Sequence, residues 1–372
     1  MATPAKSHDV VVAGAGPAGA FAALLLARAG RRVLLADKAD FPREKVCGCC
    51  VNGSAVARLD SQGIALAGRD DSVPISEIEI RHRQQVMAKS AAGGVVIPRG
   101  SLDQLIVEKA VASGVEFIPR ARVAVVSRET SAITVSCGER TFAADILVEA
   151  TGLAGRVDET RGAEVTNANS HLGAAATFRG TLFDVPPGRI AMHVGRGGYV
   201  GMVRFADGDL HAAAALSPAL VKENGSIGKA AEGILRSCGL KPLHAMDAVE
   251  WKGTTFLTRQ RIDFSTPRQF TIGDAAGYWE PFTGEGIAWA LESAVELIPF
   301  ALQPWSEAIG RRWNAVARDS LRRRQRTARH VAWFLRRPRI VGAILHGDQL
   351  LSPIYSQIVR RMTAPPTGEH VS

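Results

Sequence analysis

One stretch constrains this chain more than any other: HDVVVAGAGPAGAFAALLLARAGRRVLLADK, His8 to Lys38. It reads as strand, tight turn, helix, strand. Val10 to Val12 supply the first strand. Gly14, Gly16 and Gly19 then give the spacing G-x-G-x-x-G. Ala22, Ala23, Leu25, Leu26 and Ala27 give a helix with a small, apolar packing face. Gly30 ends it, and Arg32 to Ala36 form the second strand. Each glycine has a physical task. Gly14 permits the turn, Gly16 lets a pyrophosphate approach the backbone, and Gly19 lets the helix pack close to the strand. The helix start around Ala18 offers N–H groups and a partial positive charge to a phosphate. Asp37, 18 residues beyond Gly19 and followed by Lys38, stands where a carboxylate accepts hydrogen bonds from a ribose diol. Context, spacing and acid agree on a dinucleotide-binding element.

The remainder of the sequence fits that element. At 372 residues the chain has room for two lobes, and 46% hydrophobic residues suit a large core. The N-terminus lacks a basic region followed by a signal-type apolar core, and no apolar run reaches the ~18 residues of a spanning helix. The expectation is a cytoplasmic protein. Net charge is +9, but Arg311 to Arg339 holds eleven arginines and one acid, leaving −1 for the rest. The basic character is local, which argues against a nucleic-acid binder. Two readings of that C-terminal region stand side by side. It is a solvated arginine face on a helix capping the core, or a docking surface for anionic membrane (a peripheral position at the inner membrane face) or for an acidic carrier protein presenting a lipidic substrate.

The first element alone does not separate NAD from FAD. The segment QFTIGDAAGYWEPFTGEGIAWALESA, Gln269 to Ala294, does. It reads as strand, Gly-Asp turn, loop and helix. Gly273 and Asp274 place a carboxylate where it bonds a ribityl or pyrophosphate oxygen. Gly284 and Gly286, after Pro281, bring N–H groups to an electron-rich flavin ring edge. Glu285 between them is a base or, through its charge, a cap of the helix start.

These two segments resemble the FAD-binding signatures of the p-hydroxybenzoate-hydroxylase-like flavoprotein superfamily, which includes flavin monooxygenases and halogenases. GDAAG, P-x-T-G-E-G-I and the following A-x-x-S are most similar to the geranylgeranyl reductase family, as is FPREKVCG, Phe41 to Gly48. IPRGSLDQLIVEKAVASGVEF resembles the superfamily's arginine-plus-helix element. The resemblance implies that Arg99 contacts FAD and that the Val123 backbone lies near adenine. It implies a fold of α/β class: a Rossmann-like FAD-binding lobe, a mainly antiparallel-sheet substrate lobe interleaved with it, and C-terminal helices. The lobes divide as 1–157 for FAD (with a substrate-lobe strand near 73–90), 158–264 for substrate, 265–300 for FAD again, and 301–372 for the helices.

The sequence also departs from its relatives. The strand DILVEATGLAGR ends in Thr151-Gly152, where aromatic hydroxylases carry Asp-Gly, so direct use of NAD(P)H is in question. The reductant is NAD(P)H or a protein electron donor. There is no W-x-W-x-I-P halogenase motif, and no lysine takes the halogenase role. Where geranylgeranyl reductases carry Tyr-x-Trp-x-Phe-Pro, this chain has Tyr199 with Gly201, Val203 and Arg204. A glycine there is expected to widen the substrate cavity. GRGGYVG reads as a bulged strand or turn.

Cys47, Cys49 and Cys50 admit four readings. A zinc site lacks a second ligand pair. A C-x-x-C dithiol gains a low pKa if a helix starts near Asn52. By the resemblance, Cys47 lies at the flavin face as a proton donor or pocket wall. Otherwise cysteine serves as a small hydrophobe. Tyr278, Trp279 and Phe282 roof the cavity beside the isoalloxazine or pack the lobe interface. His171 and His193 read as structural strand histidines. The expected activity is reduction of a C=C bond of a lipophilic isoprenoid, quinone or polyketide-like substrate by hydride from reduced FAD. A flavin monooxygenase and a non-catalytic flavin redox sensor are the alternatives.

Overall fold

The computed structural model describes residues 8–90, 93–158, 165–166, 170–180, 183–241, 246–278 and 285–335. The cofactor sheet has eight strands. At its centre His8–Ala13 runs parallel to Arg140–Glu149 on one side and to Val33–Ala36 on the other. Glu116–Ile118 extends it parallel beyond Val33–Ala36, and Gln269–Thr271 extends it parallel beyond Arg140–Glu149. The two-residue period sorts the first strand. Val10 and Val12 join the core under the helices, whereas Val11 and Ala13 pack against the antiparallel strands Val123–Arg128 and Ile133–Cys137.

Seven helices occur among the described residues. They are α1 (Pro17–Arg28), α2 (Gly53–Asp60), α3 (Arg99–Ala112), α4 (Pro218–Asn224), α5 (Ile227–Ser237), α6 (Glu285–Ala301) and α7 (Glu307–Leu335). α1, α3 and α6 share one core on the cofactor sheet. Gly30, at φ +82°, follows α1 as the sequence predicts. α7 is anchored by Trp313. Its buried indole donates to the Phe264 carbonyl at 3.1 Å and meets Phe270 edge-on.

The substrate sheet has seven strands, in the order Lys252–Phe256, Leu172–Phe178, Leu210–Leu216, Gly198–Arg204, Arg189–Gly195, Glu77–His82, Gln85–Ser90. Its pairings are antiparallel except for Arg189–Gly195 against Glu77–His82. The hairpin at 77–90 therefore leaves the cofactor lobe early and joins the far sheet, as the expected interleaving requires. One face of this sheet buries Ala212, Ala214 and Leu216 against Ala230, Ile234 and Leu235 of α5. The opposite face looks toward the cofactor lobe. GRGGYVG proves to be a two-residue hairpin, with Gly195 paired to Gly198 and Gly197 at φ +82°. Arg204 is structural: its guanidinium donates to the carbonyls of Val185, Phe183 and Gly208 at 2.8, 2.7 and 2.6 Å.

Candidate active site

A cleft with its mouth open to solvent lies between the two sheets. Its floor comes from the cofactor lobe: the start of α1 (Gly16, Pro17, Ala18), the segment Lys45–Gly48, Arg99, and Gly152. Its roof is the free face of the substrate sheet, with Gly201, Ala213 and Ala215. Asp274, Tyr278, Gly286 and Ile287 close the end. Eight residues expected from sequence to serve the site thus meet in one cavity: Gly16, Ala18, Cys47, Arg99, Gly152, Asp274, Tyr278 and Gly286. Trp279, Pro281, Phe282 and Gly284 lie outside the described residues.

The floor fits a dinucleotide. Gly16 caps α1 with no side-chain bond, so no side chain competes for the N–H groups of the first turn. A Cβ on Gly19 would fall on the Gly14 carbonyl oxygen, and Gly14 itself sits at φ +103°. Both glycines are therefore fixed by packing and lie behind the binding surface. Gly273, at φ +61°, turns so close to α1 that a Cβ there would lie 2.7 Å from that of Ala18. Its N–H donates to Ser293 Oγ at 3.0 Å, which locks the Gly-Asp turn onto α6. Ser293 is the serine of the A-x-x-S signature.

Asp37 is buried and more engaged than its sequence role suggests. Its carboxylate accepts from Ala15 N at 2.7 Å, Ala39 N at 2.9 Å and Arg43 Nη1 at 2.9 Å. It therefore braces the glycine turn as well as standing at the ribose position. Lys38 is exposed beside it. Val123 opens its strand next to this loop, since the Ala121 N–H donates to the Asp37 carbonyl at 2.8 Å.

Charged groups gather on the floor. Arg99 forks onto Asp103 at 2.9 and 3.0 Å and also bonds Cys47; despite burial these partners hold it charged. Lys45 was missed from sequence. Its Nζ would lie 3.4 Å from a Cβ on Gly152, so the glycine leaves the ammonium its place over the Thr151-Gly152 turn. Burial and Arg99 push Lys45 below its ordinary value, against Asp274 and Asp103. Burial raises Asp274 against Lys45 and Arg99. Arg43, also missed, bonds Asp37 and Asp103 and faces Gly16. The signal for both cations lay in the charged run Arg43-Glu44-Lys45 immediately before the cysteines.

The cysteines separate by environment. Asn52 does cap α2, accepting from Ala55 N at 3.0 Å. Contact with Cys49 and burial push Cys47 well up, against Arg99, and burial pushes Cys50 up. The low-pKa dithiol is corrected on that ground: both thiols of the C-x-x-C pair are pushed up, Cys47 by Cys49 and burial and Cys50 by burial. Cys49, at φ +56°, and Cys50 pack with Ile75, Val96 and Met192. All five cysteines are free.

One further expectation changes. Gly201 does not leave open space, because a Cβ there would lie 2.7 Å from the Met192 sulfur. The thioether fills the gap. His193 lies away from the cleft and burial takes it down to about 4, so it stays neutral.

A family model described as FAD binding domain matches residues 7–301. The chain belongs to that family of FAD-dependent oxidoreductases and monooxygenases, and its cofactor is FAD. It is 28% identical to a menaquinone reductase of Mycolicibacterium smegmatis, over 90% of this chain and 86% of that one. It is 26% identical to digeranylgeranylglycerophospholipid reductase 1 of Methanococcoides burtonii, over 77% and 72% respectively. The flavin-dependent brominase Bmp2 shares the fold at TM-score 0.78 and 17% identity, over 96% of this chain and 93% of that one. Matches to several other curated relatives span less than half of those proteins. No described helix is long and apolar enough to cross a membrane.

Proposed function

We propose that the protein reduces a C=C bond in the isoprenoid chain of a lipophilic quinone or lipid. The observation that carries this reading is the pairing of a protonated cleft thiol with an apolar roof of small residues. The α1 start, Arg99 and Asp274 would hold FAD, and Gly286 at the α6 start would face the ring edge. FAD, once reduced, supplies the hydride. Cys47 then gives its S–H proton to the second carbon of the double bond. Its high pKa keeps the proton in place until that carbon becomes basic. Arg99, already bonded to the sulfur, stabilises the thiolate left behind, which water reprotonates. The Ala213–Ala215 face offers no polar side chain to compete for the chain. Two relatives named for menaquinone and for a digeranylgeranyl lipid favour such a substrate over an aromatic one. Arg311, Arg318 and Arg322 form one exposed stripe on α7 and suit docking to an anionic lipid surface that stores such molecules.

The test is stopped-flow reoxidation of the dithionite-reduced holoenzyme by a detergent-dispersed geranylgeranyl lipid in the absence of O₂. Reoxidation is expected. A strict O₂ requirement with an oxygenated product would replace this reading by the monooxygenase.

A further inference from the structure

The loop carrying Cys47 is held from both lobes. Arg43 ties its beginning to the cofactor lobe through Asp37 and Asp103, at 2.9 and 3.1 Å. Its far end is tied to the substrate sheet. His211 Nε2 lies 2.7 Å from the Cys47 carbonyl oxygen. A carbonyl oxygen only accepts, so Nε2 carries the proton. Nδ1 is then the acceptor, and the Thr177 hydroxyl donates to it at 2.9 Å. Thr177 and His211 are direct cross-strand partners. Phe205 stacks on the imidazole at 5.1 Å and 29°. Burial lowers the His211 pKa, which keeps the ring neutral and this tautomer in place. Every polar atom of the ring is thus committed, and its orientation is fixed from behind by Thr177.

The position of His211 gives the clamp its meaning. Along its strand it shares a face with Ala213 and Ala215, which line the cleft roof. The wall against which a substrate lies and the imidazole that grips the cysteine loop are therefore one rigid strand. We infer that His211, backed by Thr177, is a positioning residue that sets the Cys47 thiol against the substrate by holding its carbonyl from the substrate sheet. This rests on the reading of Cys47 as proton donor.

The experiment compares FAD-loaded wild type with His211→Leu, His211→Gln and Thr177→Val. FAD content is read by absorbance, Cys47 alkylation by iodoacetamide with peptide mass analysis, and turnover on the geranylgeranyl lipid. His211→Leu is expected to keep FAD, to raise the alkylation rate about tenfold and to lower kcat about tenfold with KM little changed, the scale of one lost buried hydrogen bond. Gln, whose amide N–H reaches about as far as Nε2, is expected to restore both. Thr177→Val is expected to move both in the direction of Leu, but less, and serves if Leu does not fold. A wild-type alkylation rate in both Leu and Val overturns the clamp, as does a Gln variant as impaired as Leu with FAD retained. Alkylation needs no turnover. The expected alkylation pattern in a protein that saturates no prenyl chain supports the clamp and removes the reductase reading.

Discussion

Glu285 shows how a single residue's surroundings decide its chemistry. It opens α6 directly before Gly286, and burial raises its carboxyl to about 7. A folded-state pKa above the ordinary 4.5 means that the native protein binds this proton more tightly than the unfolded chain does. The resulting stabilisation is present in full below about 4.5 and is lost as pH rises through about 7, on the order of 3 kcal/mol in total. Glu285→Gln, which stays neutral, is therefore expected to match the wild type in acid and to exceed it in Tm above neutral pH. Thermal melts of the two holoproteins across this range check it, and parallel curves would contradict it. The sequence left Glu285 as base or helix cap, because burial has no signature in a single letter. Cys47 is the converse case. Its place in F-P-R-x-K-x-C-G marked it for the flavin face. Its neighbours Cys49 and Cys50 needed the packing against Ile75 and Val96 to be told apart from it. His211 carried no local motif at all, since its partner lies 164 positions away.

The strand Gly198–Arg204 makes the same point at the scale of an element. Its motif position was legible, and Tyr199, Gly201 and Val203 do face the cleft. The occupant of the space above Gly201 was not, because Met192 arrives from the neighbouring strand as the cross-strand partner of Gly201. Methionine is the most adaptable apolar side chain, so the pair forms a yielding patch of wall. A Cβ at 201 would lie 2.7 Å from the Met192 sulfur, so Gly201→Ala must displace a thioether that lines the cleft. We expect about a tenfold weaker Kd for the geranylgeranyl lipid in that variant, at a stability cost of about 1 kcal/mol. Met192→Ala is expected to bind it at least as tightly as wild type. Titration followed by flavin absorbance measures both. Equal affinities across the three proteins would mean that the chain does not pass this strand. The first βαβ unit, by contrast, was readable almost residue by residue. Gly19 there answers to the nearby Gly14 carbonyl, whereas Gly14 also meets the distant backbone of Ala150.

At the scale of the whole molecule, the interleaving explains why the site forms at all. The cofactor sheet gives up the chain after α2 to the hairpin at 77–90, takes it back for α3, and gives it up again after Val157. Each crossing brings a cleft residue with it: the cysteine loop precedes the first, Arg99 follows it, and Gly152 precedes the second. Glu149 pins this junction. Its buried carboxylate accepts from Arg261 Nη1 at 2.6 Å and from Gln269 Nε2 at 2.9 Å, so the last turn before Gly152 is tied to the strand leading to Asp274. The two FAD signatures therefore meet by a mechanism that neither segment shows alone. The central claim is that this cleft saturates a carbon–carbon double bond with a proton from Cys47. The direct measurement is the mass of the lipid after one anaerobic turnover of the dithionite-reduced holoenzyme, wild type beside Cys47→Ala. The account predicts a product heavier by two hydrogens from the wild type, and about 100-fold slower formation in the variant with FAD still bound. An unchanged lipid chain, or an equal rate in Cys47→Ala, would contradict it.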